Sequence, residues 1–453
     1  MKNRHAEEAV MKNRPQMGVM SAALLLMGLL FFFPVRSEAL AGLEVSQSPL
    51  FHAVSLPDIP LVSEERQHEL FLEMRERFFS PWAQTEPRKA KETLEWVFDR
   101  YGKGGIFGEN LQPRTFSWVE EQRKASRIGA AGELNRCAVS VRPSTLRLMP
   151  TDDPVFLSPD LPGEGYPFDY LQNSLVHPGE PLFVSHLSED GLWAWCDTSY
   201  ASGWMKLHDL AFTDAKTAEY WMELPLAAVV SENTVFRWGE MSLFRAKAGT
   251  LLPLVSRGIT ENMVLIPYRD LDGRLVVREV RISAEKVEPV PLPLTPWRLA
   301  SAAEEFTGEL YGWGGFLGNR DCSAMTRDLL LPFGIWLPRN SAAQAGIGEV
   351  LSLENLSPEE KKKVITSQGM PFLTLLGMPG HIMLYIGTCK GEPLVLHNMW
   401  GVRTERKGVE GRFVVGRCVL STLDIGSDHP DHVPGRLLID RLNRMASPAA
   451  GHQ

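Results

Sequence analysis

Apolar residues recur at spacings of three and four over Glu64–Phe79 and Lys89–Arg100, and again over Ser117–Ile128, so the region from about 60 to 137 is predicted to be a helical module. The texture then changes. From about 141 to 215 the chain runs in short strand-like pieces separated by turns: Pro181–His186, Leu192–Asp197 and Ser202–Met205. A second such region, about 222–292, carries Ser242–Arg245, Thr250–Val255 and Leu275–Val280, and ends in the Pro-rich stretch 289–293, which reads as a semi-rigid linker. Beyond it a helix is predicted over Ala324–Leu331 and another from Ser357-Pro358 through the charged face Glu359–Lys363. Two apolar runs bordered by Gly and Pro, Gly380–Gly387 and Leu394–Asn398, read as strands. The fold class is α+β.

Three features change that picture. Lys12 and Arg14 precede an apolar stretch from Met17 to Phe33, and Ala39-Leu40-Ala41 offers a small-x-small cleavage site before Gly42, so residues 1–41 read as a secretory signal peptide. The alternative, an uncleaved anchor, fits less well because Pro34 and Arg36-Ser37-Glu38 follow closely, and no stable membrane insertion is expected after cleavage. A net charge of -8 with 44% hydrophobic residues indicates a globular chain and argues against nucleic-acid binding. Five cysteines, Cys137, Cys196, Cys322, Cys389 and Cys418, are an odd number for an oxidising compartment, so at least one is expected free.

The segment Tyr311-Gly312-Trp313-Gly314-Gly315, followed by Asp321-Cys322-Ser323, delivers a cysteine to the start of the predicted helix, with Asp321 placed as an N-cap. A helix N-terminus favours the thiolate. Downstream, His381 and His397 lie 16 residues apart on strand-like runs, a spacing that two antiparallel neighbours can close, so both rings could face the cysteine. Cys322 would then attack a carbonyl carbon, His381 would act as base and acid, and His397 would fix its tautomer. The competing reading, a small buried cysteine and two hydrogen-bonded core histidines, stays open on spacing alone.

Tyr311–Gly315, Asp321-Cys322-Ser323, Gly380-His381 with Tyr385-Ile386-Gly387, and then His397, resemble in order the motifs of the NlpC/P60 family of cell-wall cysteine peptidases over roughly residues 297–440. Leu337-Pro338-Arg339-Asn340-Ser341 resembles a further family element, a Pro-Arg-Asp-Ser turn beside the substrate cleft. The resemblance implies a papain-like domain in which Cys322 is the nucleophile, His381 the general base, His397 the third catalytic residue and Tyr311 the tyrosine near the oxyanion. It further implies that Asp321, Ser323 and Ser341 contact the peptide. Asn340 stands where the family has Asp, which removes one negative charge that could pair with a substrate ammonium.

Asp190-Gly191-Leu192-Trp193 followed by Gly203-Trp204 resembles a bacterial SH3 domain. The implied order is a signal peptide over 1–41, a helical domain over 42–140, SH3-like barrels over 141–216 and 217–292, an NlpC/P60 domain over 293–442 and a flexible tail over 443–453. That order is similar to the secreted γ-D-glutamyl-L-diamino acid endopeptidases, in which the first barrel closes the end of the cleft that takes the substrate's N-terminus. Asp169 and Tyr200 are the barrel residues expected to meet the amine there. The resemblance thus implies a periplasmic or secreted peptidase of murein stem peptides, cutting between γ-D-Glu and the diamino acid where L-Ala has a free amine. The alternatives are an amidase or acyltransferase of the same fold, and a wall-binding protein with a vestigial catalytic domain. Asp428-His429-Pro430-Asp431-His432 has metal-ligand residue types in what reads as a solvated loop, and the mechanism needs neither metal nor cofactor.

Overall fold

A computed structural model describes residues 40–88 and 91–450, so the predicted signal peptide lies almost wholly outside the described residues. Of its last two residues, Leu40 is buried and the Ala41 N–H donates to Asp428 Oδ1 at 2.7 Å.

The N-terminal module is helical: α1 (Pro49–Ala53), α2 (Glu64–Phe79), α3 (Lys91–Tyr101) and α4 (Phe116–Ala125). Ser48, Ser63 and Thr115 cap α1, α2 and α4 by accepting a backbone N–H three residues on. The four-residue repeat of α2 buries Leu70, Met74 and Phe78 in one cluster with Phe333 and Ile335, far along the chain.

Seven strands follow: β1 (Arg136–Ser140), β2 (Ser144–Arg147), β3 (Gln172–Val176), β4 (Pro181–Leu187), β5 (Trp193–Asp197), β6 (Ser202–Lys206) and β7 (Leu210–Phe212). They form one sheet in the order β3-β2-β6-β5-β4-β1-β7 around a small core that includes Leu146, Val184, Cys196 and Met205. After α5 (Ala215–Glu223) comes a second β unit. It has a five-stranded sheet of β8 (Leu226–Val229), β11 (Leu251–Ser256), β12 (Glu261–Arg269), β13 (Leu275–Ser283) and β14 (Val287–Pro289), and a separate hairpin of β9 (Thr234–Trp238) and β10 (Met241–Ala246).

The C-terminal region contributes α6 (Pro296–Glu304), α7 (Cys322–Leu330), α8 (Ser341–Gln344), α9 (Pro358–Gln368) and α10 (Leu438–Arg441). Its sheet runs β15-β20-β16-β17-β18-β19, with β15 at Glu349–Ser352, β16 at Leu375–Met378, β17 at His381–Cys389, β18 at Glu392–Arg406, β19 at Val409–Thr422 and β20 at Arg444–Ser447. Every residue of α7 is buried, because the helix has the sheet on one side and the first β unit on the other. The predicted run Leu394–Asn398 is only the apolar start of β18. The strand continues through a register shift at Met399/Gly401 to Arg406 and pairs with β19 as a long ribbon whose residues are too polar to read as a strand from sequence. Among the described residues no helix is long and apolar enough to cross a membrane.

Candidate active site

Cys322 is the first residue of α7, and Asp321 caps it by accepting the Ala324 N–H at 2.8 Å. The thiol lies near the backbone N–H of Ile382, the residue after His381. On the neighbouring strand His397 presents Nδ1 to His381 Nε2 at 2.8 Å, and its own Nε2 meets Ser421 Oγ at 3.0 Å on β19. The sheet thus lines up Ser421, His397 and His381 toward the N-terminus of α7, as the 16-residue spacing of the histidines requires.

The electrostatics differ from the expected thiolate. Burial, reinforced by Asp321, pushes the Cys322 thiol up to about 12, against the pull of the Ile382 N–H and Arg339. Burial, with Arg441 adding to it, lowers His381 to about 4, and burial drives His397 well below its usual value. Both shifts favour the neutral forms, a thiol and an unprotonated imidazole. The helix N-terminus does not outweigh desolvation once the helix is entirely buried. Burial also holds the Tyr311 phenol far above its ordinary range, with Cys322 and Asp321 adding to the shift, so it remains an O–H donor beside the thiol.

Asp321 and Ser323 are taken up inside the protein. Arg339 donates from Nη2 to Asp321 Oδ2 at 2.7 Å and from Nη1 to Oδ1 at 3.1 Å, and also reaches Ser323 Oγ at 2.9 Å and Ser174 Oγ on β3 at 2.9 Å. Burial alone would raise the Asp321 carboxyl, but Arg339 holds it below its ordinary range. Asn340 is exposed and caps α8, its Oδ1 accepting the Ala343 N–H at 2.8 Å; Ser341, half-buried, begins that helix.

Both barrel candidates for the amine make hydrogen bonds inside the protein. Asp169 is buried, with Oδ2 accepting from Arg147 Nη1 at 2.9 Å and Oδ1 accepting the N–H groups of Val155 and Leu171, each at 3.0 Å. Tyr200 donates to Glu180 Oε2 at 2.7 Å and lies under the Arg327 guanidinium, 3.7 Å from its ring centroid. Asp169 braces the barrel internally and Tyr200 joins the barrel to α7; a carboxylate that reads as a turn residue in sequence becomes the buried partner of a distant arginine.

Sequence reasoning passed over the charged group that ties α7 down. Asp328 receives His177 Nε2 at 2.9 Å, Arg320 Nε at 2.7 Å and Arg327 Nη2 at 2.9 Å; despite burial these three hold its carboxyl far below the usual range. Beside the site lies a cleft of about 380 Å³ walled by Phe168, Trp313, Trp400 and His381. Phe168 makes edge contacts with Trp313 and Trp400 at 5.5 and 5.3 Å between centroids. All five cysteines are free. In the Asp428–His432 loop the Asp431 N–H reaches His429 Nδ1 at 3.1 Å, while Asp428 Oδ1 is taken by the Ala41 N–H and the Asp431 carbonyl by the Glu405 N–H.

Comparison with known proteins agrees in three places. Residues 308–413 match the NlpC/P60 family, residues 154–206 an SH3 domain of the SH3b1 type and residues 32–130 the N-terminal NlpC/P60 stabilising domain. Residues 308–413 thus carry an NlpC/P60 domain. A solved NlpC/P60 endopeptidase from Photobacterium damselae subsp. piscicida is 22% identical and superposes with a TM-score of 0.81, covering 91% of this chain and 99% of its own. That likeness extends the shared fold to nearly the whole chain. An NlpC/P60 family protein from Bacillus cereus is 18% identical, with a TM-score of 0.43 over 69% of this chain and 99% of its own. No curated protein matches by sequence. With an NlpC/P60 domain and an SH3 domain, the protein is a hydrolase whose domains fit a cell-wall substrate.

Proposed function

We propose that the protein is a periplasmic or secreted cysteine peptidase that cuts the γ-D-Glu to diamino-acid bond of murein stem peptides with a free N-terminal L-Ala. The observation that carries this reading is the 2.8 Å contact between His381 and His397 at the N-terminus of the helix that begins with Cys322. Cys322 passes its proton to His381 as it attacks the carbonyl, and the Tyr311 hydroxyl donates to the oxyanion. His381 then returns the proton to the leaving amine, and water activated by the same imidazole frees the acyl part. His397, steadied by Ser421, keeps the His381 ring oriented.

Closure at the N-terminal end of the peptide is supported by the barrel's seat on the nucleophile loop, where Gly314 and Gly315 press against Gln172 and Leu175 of β3. The test is to incubate the protein, with Cys322→Ala as control, with L-Ala-γ-D-Glu-meso-diaminopimelate and its N-acetylated form, following products by mass spectrometry. Cysteine-dependent release of diaminopimelate from the free-amine peptide alone is expected. Cleavage of both peptides removes the closed pocket, and cleavage of neither moves the protein to the amidase or wall-binding alternatives.

A further inference from the structure

The cleft that opens on His381 is also lined by Arg403, Arg412, Arg436 and Arg441. They come from separate elements: Arg403 and Arg412 from the ribbon of β18 and β19, Arg436 from the loop after it, and Arg441 from α10. Glu410 is the one carboxylate paired with them among the described residues, meeting Arg403 Nη2 at 2.5 Å and Arg412 Nη1 at 2.6 Å. The acids nearby are otherwise engaged. Asp440 Oδ2 accepts the Leu437 N–H at 3.0 Å, and Asp424 pairs with Lys362 at 2.6 Å. Arg441 reaches back toward the catalytic strand, Nη2 donating to the Pro379 carbonyl at 3.1 Å, two residues before His381.

Four guanidiniums against one carboxylate is an arrangement that repels itself. Burial, and then the charges of Arg436, Arg403 and Arg412, lower the pKa of Arg441. A bound anion would relieve that repulsion, and guanidiniums suit carboxylates because each offers paired N–H donors in one plane. Position decides which part of a substrate meets them. His381 must touch the leaving amine to protonate it, so the fragment that leaves lies beside His381, in this cleft.

We propose that Arg403, Arg412, Arg436 and Arg441 form an anion subsite that grips the leaving amino acid by two carboxylates, which makes the enzyme selective for a diamino dicarboxylic acid over a diamino acid with one carboxylate. This rests on the peptidase reading above. In a stem tripeptide meso-diaminopimelate presents two free carboxylates, whereas L-lysine, or diaminopimelate amidated at its distal centre, presents one.

The test compares kcat/KM for L-Ala-γ-D-Glu-meso-diaminopimelate, its distal amide and the L-lysine peptide, in the native protein and in the double variant Arg436→Gln/Arg441→Gln, with Arg406→Gln on the exposed ribbon tip as control. The native protein should favour the dicarboxylate peptide by about tenfold or more, mainly through KM, and increasingly so at low salt. The double variant should lose that preference, its kcat/KM falling at least about tenfold more on the dicarboxylate peptide than on the lysine peptide. Equal kcat/KM for the three peptides in the native protein, or an unchanged preference in the double variant, overturns the subsite. If native protein cleaves none of them, the bond assignment fails separately. Calorimetric titration of meso-diaminopimelate into Cys322→Ala then decides the subsite, which stands only if binding is seen and weakens at least about tenfold on adding the two arginine substitutions.

Discussion

The Gln172 carbonyl on β3 sits so close to Gly314 that a Cβ added at residue 314 would lie 2.2 Å from it. Gly314 has φ +59° and its N–H donates to Asp321 Oδ2 at 3.1 Å, so one glycine joins the SH3 unit, the nucleophile loop and the helix cap. Gly314→Ala should therefore both strain the backbone and push the barrel away. A loss of about 2–4 kcal/mol in urea unfolding is expected, with a larger fall in kcat/KM than the stability loss alone would produce.

Arg339 is the partner that makes a buried Asp321 tolerable. Arg339→Met should cost about 3–5 kcal/mol at pH 7, since it leaves a buried carboxylate uncompensated. The sign with pH follows from the depressed native value. Asp321 contributes stability above its ordinary value of 3.8 and loses it as pH falls through the lower folded one, so the gap between native and variant should narrow in acid. Urea titrations at neutral pH and near pH 3 measure that gap.

With His381 at about 4 and the Cys322 thiol at about 12, the free enzyme should hold its neutral pair across the ordinary pH range. Its kcat/KM should fall in acid only as His381 takes a proton, near pH 4. Iodoacetamide should alkylate Cys322 more slowly at pH 7 than it does an unstructured cysteine peptide. Fast alkylation with an inflection below pH 7 would instead establish a resting thiolate–imidazolium pair.

His397→Ala should lower kcat by about a hundredfold or more while KM changes little, because the ring contacts His381 and Ser421 and orients the base. A parallel loss in KM, or no loss in kcat, would remove its positioning role.

Asp169→Asn should act on stability and leave recognition alone. Loss of the charge opposite Arg147 should cost about 3 kcal/mol, visible as a lower Tm, while the ratio of kcat/KM for free-amine and N-acetylated peptides stays constant. A changed ratio would return Asp169 to the amine pocket.

Much of the plan was legible in the chain. The period of α2 marked Glu64–Phe79, and the Gly-rich loop before Asp321-Cys322 marked the start of a helix. His381 and His397 could be paired by spacing because an antiparallel sheet has a fixed repeat. The ribbon from Gly401 to Arg412 was not legible: its polar residues follow no apolar alternation, and cross-strand hydrogen bonds make it a strand. Nor were the roles of Asp169, Tyr200 and Arg339, whose side-chain partners lie 16 to 165 residues away.

Sequence by itself therefore determined which candidate residues are present and in what order, since Cys322, its Asp321 cap and the two histidines are local choices of residue type and period. Tertiary structure decided their charge states and partners. Burying α7 between a sheet and a barrel raises the thiol and lowers the imidazole, and folding distant arginines together beside His381 builds a cationic cleft that no local pattern encodes. Desolvation and through-space charge depend on what lies within a few ångströms, which chain order does not specify.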